Sequence, residues 1–352
     1  MQKIITMSSI LLLVVTVAVA GPYSDGLADP TNTFDPGVPG YVGPSGDGVV
    51  TGNTVNPDFI GWATGHSDVY LAGTNGDTNW ELYPDPAAAY GAPTADVFDV
   101  ISLGDLDTAM LAAGDPVGYV TMTFDVSIRN GIGADMAIFE NGFVAEAGGA
   151  MVELAYVEVS TDGVTFVSFP SVSLTAGLVG AYGTVNPTNV YNLAGKHTNS
   201  YGNSWGTPFD LDDLASTPAV MAGQVDLNDI QHIRVVDIPG SGHWADSLGN
   251  PIYDSWVTWE TGGFDLESIG ALNEMPDFDG DGDVDADDFD ILGTYRDSTD
   301  RHYDLTHDGV MDSGDVAYMI SDCLQWSRGD LNGWGTFAGD LNLDGVIDLI
   351  DL

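Results

Sequence analysis

The chain has 352 residues, and its formal charge of −46 comes from 53 acidic residues against 7 lysines and arginines. Nucleic acid is excluded as a partner and anionic membranes are disfavoured, because both need a basic surface, whereas divalent cations are favoured. The single cysteine, Cys323, excludes an intramolecular disulfide. The length suits one large domain with a smaller appendage, or two domains.

Residues 1–20 predict a secretory signal peptide. One basic residue, Lys3, precedes an apolar run that ends in Ala18-Val19-Ala20, a cleavage sequence of the A-x-A type. We therefore expect an exported chain that begins at Gly21 and is secreted or attached to the cell surface. A retained membrane anchor is the alternative, although the apolar run is short for a spanning helix. No later segment is apolar enough to span a membrane.

The next part of the chain changes from an irregular segment to a pattern of short strands. Residues 21–60 are rich in Gly, Pro, Asp and Thr, and we expect an extended lead-in that packs along the next domain. At Tyr119–Ile128 apolar residues alternate with polar ones, Thr121 among them, as in a half-buried antiparallel strand. Residues 61–273 therefore predict a mainly β, jelly-roll-like β-sandwich. Further predicted strands lie at 134–140, 152–160, 164–170, 230–238 and 263–272, and Asp162-Gly163 predicts a hairpin turn.

The tail, residues 274–352, carries three copies of a twelve-residue loop with oxygen-bearing side chains at positions 1, 3, 5, 9 and 12. Each copy has glycine at position 6, which permits a sharp bend, and an aliphatic residue at position 8. This is the spacing of the EF-hand class of calcium loops, in which a backbone carbonyl at position 7 completes the ligand set. A solvated acidic linker, the alternative, would not repeat the glycine and the aliphatic residue. The predicted calcium ligands are Asp277, Asp279, Asp281, Asp283, Asp285 and Asp288, then Asp304, Thr306, Asp308, Val310, Asp312 and Asp315, then Asp340, Asn342, Asp344, Val346, Asp348 and Asp351.

These loops resemble dockerin type I repeats over residues 277–352. Position 12 is Asp rather than Glu, and helical sequence follows the loop without an entering helix. The resemblance implies a small α-helical calcium-loop domain that docks onto a cohesin-like or cell-surface protein. Dockerins often contact cohesin through a hydroxyl-bearing pair at positions 10 and 11, and here those pairs differ. They are Ala286-Asp287, Ser313-Gly314 and Leu349-Ile350. We expect the third repeat to be truncated, because no helix follows its loop.

Four phrases of the large domain resemble an uncharacterised family of exported bacterial cell-surface proteins. They are "ADMAIFENGF", "LAYVEVSTDGVTFVSFPS", "NPTNVYNLAGKH" and "DSLGNPIYDSWVTWETGGFDLESIG". The resemblance spans about residues 60–272. It implies an exported location and a sandwich fold rather than a particular chemistry.

Two binding sites suggest themselves in the large domain. Glu140, Asn141 and Asp265 offer oxygen ligands for a structural calcium ion, the alternative being hydrogen bonds within turns. Aromatic residues in polar, glycine-rich loops suggest a carbohydrate-binding surface, the alternative being that they close the ends of the sandwich. These aromatic residues are Tyr201, Trp205, Trp244, Tyr253, Trp256 and Trp259.

Two functions remain at this stage. The favoured one is a non-catalytic recognition module on a calcium-dependent docking tail, linked to polysaccharide binding or degradation. The alternative is a secreted polysaccharide-active hydrolase that uses two facing carboxylates. Candidates for that pair are Glu140, Glu153, Glu158 and Glu260. A nucleophilic triad using His197 or His243 is disfavoured, because no G-x-S-x-G sequence accompanies them.

Overall fold

The computed structural model describes most of the predicted sandwich and the first part of the tail. The predicted signal peptide, much of the lead-in and the whole third calcium loop lie outside the described residues, as do Asp283 and Glu260. The described residues are 22–23, 41–42, 54–55, 58–73, 83–94, 96–144, 149–199, 206–258, 262–281 and 284–323.

The described chain is mainly β, as predicted. The strands are β1 Tyr41–Val42, β2 Thr54–Val55, β3 Gly61–Trp62, β4 Gly65–Tyr70, β5 Ile101–Ser102, β6 Tyr119–Ile128, β7 Met136–Glu140, β8 Phe143–Val144, β9 Ala150–Met151, β10 Ala155–Ser160, β11 Val167–Ser168, β12 Val172–Ser173, β13 Val190–Tyr191, β14 Thr207–Phe209, β15 Ile230–Asp237 and β16 Asp265–Ala271. The α-helices are α1 Thr108–Ala113, α2 Pro218–Met221, α3 Ala286–Thr294 and α4 Ser313–Tyr318. Single 3₁₀ turns lie at Pro86–Ala89, Pro187–Asn189 and Leu211–Leu214, and a π-helical turn at Met319–Cys323.

Two larger antiparallel sheets form the body of the protein. One has the strand order β11-β10-β15-β6-β4, and the other has the order β14-β7-β16-β3, with β5 also pairing with β16. Apolar residues of both sheets belong to one hydrophobic core, for example Val120 and Val235 from the first and Ile138 and Ile269 from the second. The two sheets therefore pack face to face, and we call residues 58–273 the two-sheet body.

The strand β6 has the predicted bounds, but its alternation is less strict than the sequence indicates. Thr121, expected on the polar face, is buried, because Arg234 of the neighbouring strand covers it and donates a hydrogen bond from Nε to Thr121 Oγ1 at 3.0 Å. The predicted hairpin at Asp162-Gly163 is confirmed. β10 and β11 pair antiparallel, and Gly163 adopts a φ of +70° that favours glycine.

The strand β16 is buried along its whole length. Leu266 and Ile269 face the shared core, while Phe59 covers the outer face where it meets Gly270. Because both faces are covered, the acidic residues Asp265 and Glu267 of this strand are also buried. A carboxyl group in this position is costly unless a partner stabilises it.

Two arginines connect the tail to the two-sheet body, at the ends of β6 and β16. Arg301 donates from one guanidinium nitrogen to the carbonyl of Leu272 at 2.9 Å and from the other to the carbonyl of Asp304 at 2.7 Å. Arg129 donates to the Tyr318 hydroxyl at 3.3 Å and lies over its ring. The two Arg301 contacts join the end of β16 to the second predicted calcium loop.

The tail has its own small hydrophobic core. It contains the position-8 residues of the first two loops, together with residues of α3, α4 and the π-helical turn. Its buried members are Val284, Leu292, Leu305, Met311, Met319 and Cys323. Burial raises the pKa of the Cys323 thiol to about 11.

The predicted lead-in touches the two-sheet body at one described point. The Tyr23 N–H donates to the Thr188 carbonyl at 3.0 Å, and Lys196 Nζ donates to the Tyr23 carbonyl at 3.1 Å. Within the described part of the chain, none of the helices is both long and apolar enough to cross a membrane.

Candidate metal centres

The first predicted calcium loop brings three of its predicted ligands together. Asp277, Asp279 and Asp281 each offer a carboxylate oxygen, and these oxygens all lie within 4.8 Å of one another. Asp277 is half-buried and the other two are exposed. This group can hold a metal ion, and its all-oxygen chemistry is that of calcium or magnesium sites.

Backbone hydrogen bonds build this loop around the side chain at position 1. Asp277 Oδ1 accepts from the N–H groups of Gly280 at 2.7 Å and Asp281 at 3.1 Å. Asp279 Oδ1 accepts from the Asp281 N–H at 3.1 Å. The chain therefore wraps around its own carboxylates, which places the alternate side chains of the loop on its inner side.

The second loop repeats the backbone hydrogen bonds to position 1, although no three of its described acids bring oxygens within 4.8 Å of one another. Asp304 Oδ1 accepts from the Asp308 N–H at 3.1 Å, and its Oδ2 accepts from the Gly309 N–H at 2.8 Å. Gly309 has a φ of +99°, as the predicted bend at position 6 requires. The position-8 residues of the two loops, Val284 and Met311, are both buried as predicted.

The aspartates at position 12 have a role that the sequence alone did not indicate. Asp288 is fully buried, and it accepts from the N–H groups of Phe278, Asp279 and Asp285 at 2.5, 3.1 and 2.9 Å. Asp315 is equally buried, and it accepts from the N–H groups of Thr306 and Asp312 at 2.9 and 2.7 Å. The hydrogen bonds to each of these aspartates therefore connect the start of a loop to its end.

The same aspartates complete the starts of the two helices. Asp285 and Asp312 are the N-caps of α3 and α4, and each forms a reciprocal capping box with the aspartate at position 12. Oδ1 of Asp288 and of Asp315 accepts two hydrogen bonds, whereas Oδ2 of each accepts one, so the second lone pair of Oδ2 remains able to bind a metal ion. The helices therefore begin inside the loops, at position 10, whereas the sequence predicted helices that follow the loops.

A groove of about 620 Å³ lies between the first loop and the two-sheet body. Asp277 and Asp281 line one side, and Asp125 and Asp229 line the other. A metal ion in the first loop would therefore lie at the edge of a strongly acidic recess.

A second group of acidic residues lies inside the two-sheet body, and we call it the buried acid cluster. Glu140, Glu153 and Asp265 were singled out in the sequence, whereas the other three were not. Nothing in the local sequence marks those three, because each lies in a different loop or strand end. The buried acid cluster consists of Asp105, Glu140, Glu153, Asp237, Asp254 and Asp265.

The carboxyl groups of this cluster act on one another. Burial, followed by repulsion from Asp265, raises the pKa of both Glu140 and Glu153 well above the usual value. Burial, followed by repulsion from Asp105, does the same to the pKa of Asp237. Burial raises the pKa of Asp105 itself to about 7. Each of these shifts favours the neutral form of the carboxyl group, because negative charge at this buried place is not screened by water.

The other residues singled out in the sequence form no catalytic arrangement in the described chain. Glu158 lies at the surface, where its carboxylate is 3.7 Å from the guanidinium of Arg234. His243 Nδ1 lies 2.9 Å from the Ser241 hydroxyl, and the carboxylate of Asp246 instead accepts hydrogen bonds from its own loop. Asn141 donates to the carbonyl of Val97 at 2.8 Å.

The two described tryptophans of the aromatic set are half-buried. Trp256 donates from its indole N–H to the carbonyl of Leu106 at 2.9 Å, and Trp244 packs against a hydrophobic cluster of the body. The ring of Tyr253 lies against Gly242. These contacts favour a structural role for the three rings. Tyr201, Trp205 and Trp259 lie outside the described residues.

The chain was compared with protein-family models and with curated proteins. No family model matches it, and no curated protein gives a significant match. Its function therefore has to be argued from its own residues and their geometry.

Proposed function

We propose that this chain is an exported calcium-binding protein of the cell surface or extracellular space. Its two-sheet body, which we interpret as a jelly-roll-like sandwich, acts as a recognition module, and its dockerin-like tail acts as a docking unit. The proximity of Asp277, Asp279 and Asp281 carries the proposal most directly. The repetition of the same backbone pattern in the second loop supports it.

Calcium is the metal that the loops favour. Calcium accepts 6–8 oxygen ligands in a flexible arrangement, whereas magnesium demands a near-ideal octahedron and keeps several of its waters. A loop that mixes carboxylates with a backbone carbonyl and, in the second copy, Thr306 suits the larger ion. The charge of the chain points the same way, because such a surface concentrates divalent cations.

The tail is the part that we propose to bind a protein partner, either a cohesin-like module or another cell-surface protein. Its apolar side chains pack on the inner side, between α3 and α4. Asp287 and Asp290 of α3 are exposed and leave an acidic outer face. We therefore expect a partner whose contact surface is basic or polar rather than apolar.

The two-sheet body is the part that we propose to bind polysaccharide. The described aromatic rings support the body more than a binding surface, so Trp259 is the better candidate for a sugar contact. A polysaccharide-active hydrolase remains the second candidate, because Glu140 and Glu153 are two acids with raised pKa values near each other. Their exposed fractions of 0% and 5% favour the binding module, because a substrate could not reach them.

A panel of insoluble polysaccharides tests the proposal. The calcium-loaded protein is expected to be retained on at least one polysaccharide without releasing reducing ends. Release of reducing ends would establish the hydrolase instead, and neither retention nor release would contradict both carbohydrate functions. Titration with calcium tests the tail separately, and Asp277→Asn combined with Asp281→Asn is expected to remove one bound calcium ion.

Changing Trp256 to Ala is expected to lower the free energy of unfolding by about 3 kcal/mol, because a large half-buried ring and its hydrogen bond to Leu106 are lost. Trp259→Ala is the matched change, and it is expected to weaken retention on polysaccharide with little loss of stability. Thermal unfolding and the retention assay measure the two effects. A Trp256→Ala protein of unchanged melting temperature would show that this ring does not support the fold.

A further inference from the structure

The buried acid cluster lies where several strands end at the same edge of the two sheets. Glu140 is the last residue of β7, Asp237 is the last of β15, and Asp265 is the first of β16. The pairing of Leu266 with Glu140 brings the start of β16 beside the end of β7. Residues far apart in sequence are therefore brought together by the fold itself.

Two carboxylates of this cluster are held in the same distinctive way. Glu140 Oε1 accepts from the Gly142 N–H at 2.7 Å, and Asp237 Oδ1 accepts from the Phe264 N–H at 2.7 Å. The second oxygen of each, Glu140 Oε2 and Asp237 Oδ2, is buried without a hydrogen-bond partner among the described residues. One oxygen is thus fixed by the backbone, while the other is kept from water and left unsatisfied.

A carboxylate oxygen left unsatisfied in the protein interior is a group that an ordered water or a bound cation satisfies in native structures. Glu140 is 0% exposed and Asp237 is 1% exposed, and the carboxylate of Asp265 acts on both. A backbone amide that fixes one oxygen and orients the other is the kind of support that metal-binding carboxylates receive. The neighbouring acids would repel one another less if a cation lay between them.

We propose that the buried acid cluster binds a calcium ion, with Glu140 Oε2 and Asp237 Oδ2 as ligands beside Asp265. The donors are all oxygen atoms, which excludes the nitrogen and sulfur chemistry of a structural zinc site. Thr258 lies beside the same cluster, where its hydroxyl is hydrogen-bonded to Glu153 and to Asp105. This hydroxyl is an uncharged oxygen that could serve as a further ligand. This site is separate from the tail loops and does not depend on the proposed function.

The spacing of these acids differs from that of the first loop. Among the described residues, Asp277, Asp279 and Asp281 alone bring three acid oxygens within 4.8 Å of one another. No three acids of the buried acid cluster offer oxygens that close to one another, so water or neutral oxygens would have to complete the ligand set of an ion there. Calcium tolerates such irregular coordination, whereas magnesium does not.

Terbium, which replaces calcium in oxygen sites, locates the site in the unaltered protein. Crystals of the full exported chain are grown with terbium, and the anomalous difference map is calculated. A peak bounded by Glu140, Asp237 and Asp265 is the expected result. Anomalous peaks confined to the tail loops would overturn the proposal.

A calcium count on variants provides the second test. The double change Glu140→Gln and Asp237→Asn is expected to lower the bound calcium by one ion per chain, measured by atomic emission after gel filtration. Glu267→Gln is the matched control, because Glu267 lies on β16 with 2% exposure but is hydrogen-bonded to Asn199. An unchanged calcium count in the double variant, or an equal loss in the control, would contradict the proposal. If the double variant fails to fold, the terbium map decides.

Discussion

Removal of calcium is expected to unfold the tail while β6 and β15 of the two-sheet body stay protected in the first minutes. The first loop gathers carboxylate oxygens of Asp277, Asp279 and Asp281 within 4.8 Å of one another, and without a cation their mutual repulsion opposes folding. The tail core is small, so its burial cannot offset this cost. The helices α3 and α4, which begin inside the loops, should be lost with them.

Hydrogen exchange resolved by peptide is the measurement for this prediction. After brief exposure to a chelator, peptides covering 284–323 should exchange fully, whereas the peptide covering Tyr119–Ile128 should not. Adding calcium should restore protection, and an equal concentration of magnesium should not. A tail that stays protected in chelator would show that metal binding does not hold it together.

Replacing Asp288 with Ala is expected to destabilise the tail by about 3–5 kcal/mol even in saturating calcium, because three backbone N–H groups lose a buried acceptor and each loss costs about 1–1.5 kcal/mol. The change also breaks the capping box at the start of α3. Asp315→Ala should have a comparable effect, because Asp315 ties its own loop in the same way. Urea unfolding followed by exchange at Phe278 and Asp285 measures the loss.

Asp290→Ala is the matched control for that change. Asp290 lies on the same helix but is exposed, so its loss should alter stability by no more than about 0.5 kcal/mol. If both variants lose the same stability, the effect comes from the charge of α3 rather than from the buried hydrogen bonds. If Asp288→Ala weakens calcium binding but not stability, Asp288 acts as a ligand alone.

Elements whose pattern is local were predictable from the sequence. The bounds of β6 follow from its alternating side chains, and a helix was predicted at the end of the first loop, although α3 begins two residues before Asp288. The backbone ties of the position-12 aspartates were not predicted, although the capping pattern Asp285-x-x-Asp288 was visible. Asp288 belongs to both the calcium-loop motif and the capping motif. The sequence predicts it only as a metal ligand, because the calcium-loop motif is the more specific of the two.

The buried acid cluster was beyond prediction for a different reason. Asp105 and Asp237 are separated by most of the two-sheet body in sequence, and only the meeting of strand ends brings their carboxyl groups near each other. An acidic residue at the end of a strand is ordinarily a solvated turn residue, and its burial depends on what covers it. For β16, that cover comes from Phe59 and other residues remote in sequence.

The chain's one thiol lies in the tail core, where Cys323 is 7% exposed and its Sγ lies 4.0 Å from the Tyr318 carbonyl. The thiolate is the reactive form, and burial keeps the pKa of this thiol at about 11, so the closed tail resists oxidation and alkylation. Opening of the tail would return the thiol to water and to its ordinary reactivity. An exported protein meets oxidants outside the cell. Calcium that closes the loops would therefore also protect the chain from forming an intermolecular disulfide through Cys323. The rate at which this thiol is labelled would then report how many loops are occupied by calcium, without any substitution.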